Sequence, residues 1–491
     1  MTDPERTSAP DAAAPPAFRV AVVGAGLAGL TAAHALRRTA RARGVALDLH
    51  VYEAGERPGG QLQTLREGGW TIEWAANAFR TGIVGARDLL DELGLGGERI
   101  DASRAAARRY LFHGGRLHAF PSDPIGLLRF EPLSVGGRLR VMAEPFTAQR
   151  VEHEESVHEY AARHVGPEAA QVLLGTMVRG VYGGDARALS VDAAFPVMRT
   201  MERDHRSLVL AGIAGARERR RIGKTTWSLV RGMGSLLDAL AAELGRDVHT
   251  RTPVASITNS EGPTGRAYRL RLADGRASVV DAVVLATPPG PAAALLETLD
   301  AVAAAEVRGI ASAPVAVVAL GYRLDAFRKA PDGYGFLVAP GEAPKVLGVL
   351  FESNLFPGRA PAGHVLVRAI LGGVDRPEVA TEPEDVLVAD TVAALGSAIG
   401  PIGAPARTWV ERRAGAIPQY LLGHQARVAR IDARLVRTPC VRLIGNAYRG
   451  VAVGSIVEEA RETACSLVDV AARRGGAAFE PSDGRMAVRA G

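Results

Sequence analysis

Cysteine is nearly absent from this chain of 491 residues: Cys440 and Cys465 are its two, with no ligand spacing between them and no second pair. That excludes a disulfide-built scaffold and a thiolate metal site, and it suits reduced structural thiols in a reducing compartment. Long apolar runs are missing too. A helix that crosses a bilayer takes about 20 predominantly apolar residues, and no uninterrupted run of that length occurs. The opening stretch from Met1 to Ala17 mixes Ala, Pro and acidic residues without an apolar h-region, so it is expected to be a disordered tail and not a signal peptide. Aromatics make up only 5% of the chain and no basic stripe carries interleaved aromatics, so nucleic acid is not an expected partner. The net charge of +6 rests mainly on scattered arginines, which suits an acidic substrate, a membrane surface or a merely solvated exterior. A cytoplasmic protein, soluble or peripheral on the cytoplasmic face of a membrane, is expected.

What is present is globular. Hydrophobic residues at 47% and charged residues at 23% can build cores, and the length calls for two or more of them. The organising stretch is Phe18 to Leu36: an apolar run to Val23, then Gly24-Ala25-Gly26-Leu27-Ala28-Gly29, then a helix-favouring segment. Strand, tight turn and helix follow in that order. Gly24 permits the turn, Gly26 lets the backbone approach a pyrophosphate, and Gly29 lets the helix pack close to the strand. The helix N-terminus offers N–H groups and partial positive charge to that anion. A second β-like run from Val45 to Tyr52 ends on Glu53, whose carboxylate would accept the hydroxyls of an adenosine ribose.

Further along, Ile83 to Leu95 has helical periodicity, and Arg108 to Leu117 reads as a hairpin around Gly114-Gly115. Phe120 to Phe146 interleaves apolar residues with arginines, able to meet an anionic leaflet or to pack on the protein itself. Helix starts at Ser235, strands over Val248 to Ile257, Asp281 to Thr287, Val315 to Leu320 and Val365 to Ile370, and a hairpin around Lys345 complete the coarse reading.

Several segments together resemble the protoporphyrinogen/coproporphyrinogen oxidase family of FAD-dependent enzymes in the amine oxidase superfamily. Glu53-Ala54 is followed by Arg57-Pro58-Gly59-Gly60-Gln61, similar to the loop that lies along FAD phosphates in that superfamily. Gly69 to Phe79 resembles the passage past the flavin, with Ala75-Ala76 where the family usually has Gly-Pro, and with Asn77 and Phe79 in place. Gly180-Val181-Tyr182-Gly183-Gly184-Asp185, with Leu189-Ser190 and Ala194-Phe195-Pro196, and later Ile417-Pro418-Gln419-Tyr420 with Gly423-His424, are the two most specific matches. Gly445 to Gly454 resembles the segment whose helix N-terminus faces the flavin pyrimidine.

The resemblance implies an α/β fold: a Rossmann-like FAD-binding domain from residues 18–75, 222–290 and 438–473, a mixed-sheet substrate domain from 76–98 and 291–437, and a helical membrane-facing domain at 99–221, with tails at 1–17 and 474–491. It implies that FAD is held by Gly24, Ala25, Gly26, Leu27, Ala28, Gly29, Glu53, Ala54, Arg57, Gly60, Gln61, Ala75, Ala76, Asn77, Val254, Gly445, Val451, Ala452 and Val453. Substrate contacts are implied for Asn77, Phe79, Arg109, Gly180, Leu337, Leu355 and Ile370. Arg109 would hold a propionate, although a solvated arginine is the plain alternative; for Asn77 that alternative is a turn residue, and for the leucines and Ile370 it is ordinary core. Arg412-Arg413 stand where the family often carries an aromatic. His424 is read as structural rather than as a base, and no general base or metal is expected. The implied reaction is six-electron oxidation of protoporphyrinogen IX, or alternatively coproporphyrinogen III, with dioxygen as acceptor and hydrogen peroxide released, in haem biosynthesis. An amine or polyene oxidase of the same fold, and a non-catalytic relative, remain more distant alternatives. The resemblance leaves both a monomer and a homodimer open.

Overall fold

The computed structural model describes residues 17–80, 84–121, 124–222, 226–262 and 265–474. The expected tails at 1–17 and 474–491 therefore lie, apart from Ala17 and Arg474, outside the described residues. The strand Phe18–Val23 is buried along almost its whole length, as a strand of a parallel sheet covered on both faces must be. It pairs in parallel with Leu47–Tyr52 on one side and Ala282–Leu285 on the other, with Val20 opposite Leu49 and Ala282. Val248–His249 and Val441–Leu443 complete a five-stranded parallel sheet among the described residues. Between the first two strands runs the helix Leu27–Ala42, packed on the long helix Val453–Arg474 and on Gly234–Leu244.

The expected strand from Val248 to Ile257 is two strands, Val248–His249 and Val254–Gly262. Arg251 between them takes a left-handed φ of 51°, and Pro253 has no N–H to give to a ladder, so the chain turns there.

The second sheet has seven strands among the described residues, in the order Arg407–Pro418, Ser312–Arg323, His364–Gly372, Val346–Leu350, Gly335–Val338, Tyr110–His113 and Arg116–Ala119. The Phe336–Tyr110 pairing is parallel and the others are antiparallel. Alternation gives the sheet two distinct faces. Ala316, Val318, Leu320, Val367, Ala369 and Leu371 pack on Leu387, Ala394 and Leu395 of the helix Glu384–Ile399. Val315, Val317, Ile370, Arg368, Leu337, Glu411 and Arg413 stand on the opposite face, in register across neighbouring strands.

The helical third region is smaller than expected. Arg99–Asp101 pairs with Thr226–Leu229, and the 110–119 hairpin, with Gly114 and Gly115 both at positive φ, joins the seven-stranded sheet. Helices take over only from residue 124. A local pattern announces a hairpin but not the sheet that will accept its edge. Similarly, the boundary expected at residue 290 falls inside a core. Leu295, Leu296, Ala303 and Val307, from Pro289–Leu296 and Ala301–Arg308, are buried with Val22, Leu30 and Val284, as are Leu89, Ile431 and Leu435. Segments assigned from sequence to the substrate domain thus complete the dinucleotide core.

Buried charge fixes the geometry within and between these parts. His164, fully buried, lies 2.7 Å from Glu144 and 3.2 Å from Glu202. Arg163 and Arg199 close the same network through Glu155 and Glu202. At the crossing into the seven-stranded sheet, Arg368 donates to Glu352 at 2.7 Å and to the carbonyls of Glu73 and Ala75 at 3.0 and 2.7 Å. Asn77 donates its amide to both Glu352 oxygens at 3.1 Å.

Truncation of Glu352 would leave the Arg368 guanidinium buried and uncompensated. Glu352→Ala is expected to lower the unfolding free energy by about 3–5 kcal/mol, measured by urea denaturation of the flavin-loaded protein.

Candidate active site

The strand end at Val23, the helix start at Leu27 and the carboxylate of Glu53 form one cradle. A Cβ on Gly24 would lie 2.8 Å from the carbonyl of Ala286, and one on Gly29 would lie 1.9 Å from the carbonyl of Gly24. Both positions therefore demand glycine, and the helix sits directly on the turn. Gly26 caps that helix with no side chain, and no acidic residue lies in its first turn, so the positive end is left for an outside anion.

Glu53 accepts the N–H groups of Ala25 and Gly55, both at 2.8 Å, one on each oxygen. An ionised carboxylate has about four acceptor positions, so lone pairs remain for a ribose diol. Ala54 and Arg57 are exposed on the following loop. Gly59 donates to the carbonyl of Ala25 at 2.9 Å, and a Cβ on Gly60 would stand 3.0 Å from Gly26. The Gly59-Gly60 loop therefore lies against the helix N-terminus that it is needed to complete. Val254, partly exposed, opens its strand just after Thr252 donates to the carbonyl of Glu53 at 2.8 Å. These donors, glycines and carboxylate fit an adenine dinucleotide.

Across the cradle, Gln61 donates to the carbonyl of Gly415 at 3.3 Å and accepts from Asn446 at 3.5 Å. Gly445, at φ 125°, donates to Glu459 at 2.8 Å, and Arg449 reaches the other oxygen of Glu459 at 2.7 Å. Burial pushes the Glu459 carboxyl up, and those two donors pull against it. This carboxylate holds the turn that leads through Val451 and Ala452 to Val453, the first residue of the long helix.

The two most specific sequence segments, more than two hundred residues apart, are in contact. Gln419 donates to the carbonyl of Tyr182 at 2.8 Å, Ser190 to that of Tyr420 at 2.8 Å and Leu422 to that of Ala188 at 3.0 Å. A Cβ on Gly184 would stand 2.4 Å from the Gln419 side chain, which explains the glycine. Tyr420 in turn donates to the carbonyl of Asn446 at 2.7 Å, so both segments are tied to the cofactor side.

Substrate-side residues divide into four groups. Leu337, Gly348 and Ile370 are opposed across neighbouring strands, and Gly180 comes so close that its Cβ would stand 2.6 Å from Leu337. Gly180, Leu337 and Ile370 are partly exposed and make one apolar floor. Phe79 and Leu355 instead lie in packed cores: Phe79 stacks on Trp227 with centroids 4.3 Å apart, and Leu355 is fully buried with Ala102, Ala106 and Phe356. Their expected place on a ligand surface is corrected to core, because Phe79 sits in a strand paired with Thr226–Leu229 and Leu355 closes the short helix Glu352–Leu355 against Ala102 and Ala106. Asn77, expected to face flavin or substrate, is buried with its amide committed to Glu352, while Ala75 and Ala76 border it and the Ala75 carbonyl is held by Arg368. Arg109 is exposed, with its guanidinium 4.9 Å from the Tyr334 ring centroid.

His424 is buried, stacks on Tyr420 at 4.1 Å and sits 2.9 Å from the Tyr448 carbonyl, to which Nε2–H donates. Burial lowers its pKa. A ring so enclosed positions the Tyr420 segment and is not placed to shuttle protons. Sequence reasoning did not assign Glu352, Arg368, Glu459 or Arg413 to the site. Only the spacing of Glu411 and Arg413, two apart on a strand and so on one face, was there to be read.

The chain matches the model of the flavin containing amine oxidoreductase family over residues 27–468. It is 29% identical to coproporphyrinogen III oxidase of Propionibacterium freudenreichii subsp. freudenreichii over 96% of this chain and 95% of that protein. It is 32% identical to protoporphyrinogen oxidase of Homo sapiens over 91% of this chain and 98% of that protein. A crystal structure from Exiguobacterium sp. 255-15, assigned provisionally as a protoporphyrinogen oxidase, superposes with a TM-score of 0.81 over 93% of this chain and 99% of that one at 24% identity, and so shares the fold.

Glu53→Ala removes the carboxylate of the cradle and is expected to weaken retention of the dinucleotide by about 10- to 100-fold, measured by equilibrium dialysis with visible absorbance. For His424 the native ring is neutral, so the unfolded chain binds the extra proton. Stability is full above about pH 6.5 and falls as pH drops toward the lowered native value. In urea unfolding between about pH 7.5 and about pH 5.5, His424→Gln is expected to show a shallower acid decline than the wild type.

Proposed function

As the chain belongs to the flavin containing amine oxidoreductase family, we propose that it is an FAD-dependent porphyrinogen oxidase that takes protoporphyrinogen IX to protoporphyrin IX in haem biosynthesis, with dioxygen as acceptor and hydrogen peroxide as by-product. The observation that carries this reading is the contact between the Tyr182 to Ser190 and Ile417 to His424 segments, joined beside the apolar floor and tied to the cofactor turn. The porphyrinogen oxidases among the relatives support the same class of reaction.

FAD, when bound, supplies the acceptance of hydride from a macrocycle carbon and the return of electron pairs to dioxygen. The protein's part is placement and charge. The glycine cradle and Glu53 hold the adenosine end and the pyrophosphate. The N-terminus of the helix Val453–Arg474, its preceding turn fixed by Glu459, presents positive partial charge on the other side of the site. Gly180, Leu337 and Ile370 offer a flat apolar surface to a tetrapyrrole, and the missing Cβ of Gly180 leaves Leu337 its room. Arg109 carries a guanidinium suited to a carboxylate. A pyrrole N–H loses its proton once hydride has left the ring, so no protein base is invoked.

Ring acidity favours protoporphyrinogen. Arg108 is paired with Asp332 at 2.6 Å and Arg179 with Asp375 at 3.0 Å. Arg109 has no carboxylate partner among the described residues and is the arginine we assign to a propionate. Coproporphyrinogen III, with four propionates, is the second reading and has the Propionibacterium relative on its side. Contact with a membrane surface is part of the proposal. Leu128, Val135, Leu139 and Phe146 are exposed beside Arg138 and Arg140, and Phe146 is 91% exposed. Among the described residues no helix is long and apolar enough to cross a bilayer.

Side-by-side oxidation of the two porphyrinogens, followed by porphyrin fluorescence and peroxide, is expected to show higher kcat/KM for protoporphyrinogen IX. Arg109→Leu is expected to raise KM for it about tenfold with little change in kcat. Oxidation of neither ring by flavin-loaded protein would sink the proposal.

A further inference from the structure

Arg413 belongs to the seven-stranded sheet by sequence but serves the cofactor cradle by position. It lies opposite Val315 on the face that carries Val317 and Ile370, beside an irregular register in the pairing of its strand with Ser312–Arg323. Its Nη1 donates to the carbonyl of Gly60 at 3.3 Å, its Nη2 lies 3.3 Å from Glu411, and its Nε is buried with no hydrogen-bond partner. Gly60 is the residue that abuts Gly26 at the helix N-terminus, and the next residue, Gln61, spans to Gly415 and Asn446. The guanidinium therefore stands where the phosphate loop, the substrate sheet and the turn before the long helix converge.

An arginine side chain keeps its proton in proteins. Burial pushes the Arg413 pKa below its ordinary value and Glu411 opposes this, so the charge is desolvated and only partly compensated. Glu411 is itself more than a third exposed, which weakens it as a counter-ion. An unsatisfied buried donor with a weakly matched positive charge is costly by itself and useful beside an anion.

We propose that Arg413 is an electrostatic residue of the cofactor site, its fixed positive charge stabilising the negative charge that the flavin half of FAD gains on reduction. Hydride transfer moves two electrons and one proton: a substrate carbon is oxidised, the flavin is reduced, and the ring system gains one net negative charge. A nearby guanidinium favours that state over the neutral oxidised one. The inference rests on FAD occupancy and not on the identity of the porphyrinogen.

The test therefore uses the FAD-loaded protein without substrate. Sulfite adds covalently to oxidised flavins, donating its lone pair to the ring, and the adduct places negative charge there. Sulfite affinity and the two-electron midpoint potential are measured in wild type, Arg413→Leu, Arg413→Lys and Glu411→Gln. Arg413→Leu is expected to weaken sulfite binding about tenfold or more and to lower the potential, Arg413→Lys to retain most of both, and Glu411→Gln to shift both in the opposite direction. Unchanged sulfite affinity and potential in Arg413→Leu would overturn the inference. If Arg413→Leu does not retain FAD, Glu411→Gln decides: tighter sulfite binding supports the role, and no shift or a weaker one overturns it. A failed porphyrinogen assay with these shifts intact would count against the substrate reading alone.

Discussion

The close approach of Gly29 to the carbonyl of Gly24 is the contact on which the rest of the site depends. It seats the helix Leu27–Ala42 directly over the end of Phe18–Val23, so that the helix N-terminus opens at the carboxyl end of the central strand, where an anion can meet it. Glu53 then takes the N–H of Ala25 out of that same turn, and Gly59 closes onto the Ala25 carbonyl. Three segments converge on one tripeptide, Gly24-Ala25-Gly26. A single methyl group at Gly29 would push the helix away and dissolve the cradle.

Charge buried between the parts does a different task. Arg368, Glu352 and Asn77 clamp the passage from the dinucleotide sheet to the substrate sheet, and Arg359 lies 3.5 Å from Glu73 in a similarly dry place. In the helical region His164 bridges Glu144 and Glu202. Such pairs give little net stability, since desolvation offsets their attraction. Their value is positional: an ion pair that cannot reach water accepts few geometries. The two sheets are held at a fixed separation, which a redox site spanning them requires.

The cofactor cleft is thus lined from both sides. The dinucleotide sheet supplies glycines, a carboxylate and a helix end, while the substrate sheet supplies the apolar floor and Arg413. Gln61 and Tyr420 couple the two through Gly415 and Asn446. Positive charge on that side of the cleft has two structural origins, the N-terminus of the helix Val453–Arg474 and the Arg413 guanidinium on a strand.

Local chemistry was legible from the residues. Gly24 and Gly29 are legible because backbone geometry within one strand-turn-helix unit demands glycine at both, and the Gly114-Gly115 hairpin, with both residues at positive φ, is legible for the same reason. The strings from Gly180 and from Ile417 pointed to the family by resemblance before their contact was visible. What sequence could not decide was which distant segments would cover which. Phe79 and Leu355 became core, Asn77 was taken by Glu352, the 110–119 hairpin joined a sheet, and helices beyond residue 290 closed the dinucleotide core. The reason is physical. Turn and helix-end requirements act over a few bonds and leave their mark in adjacent residues, whereas burial and charge pairing depend on the third dimension. Glu352 and Arg368 are 16 residues apart, and Arg413 and Gly60 are 353 apart. Only the packed structure decided that they would meet.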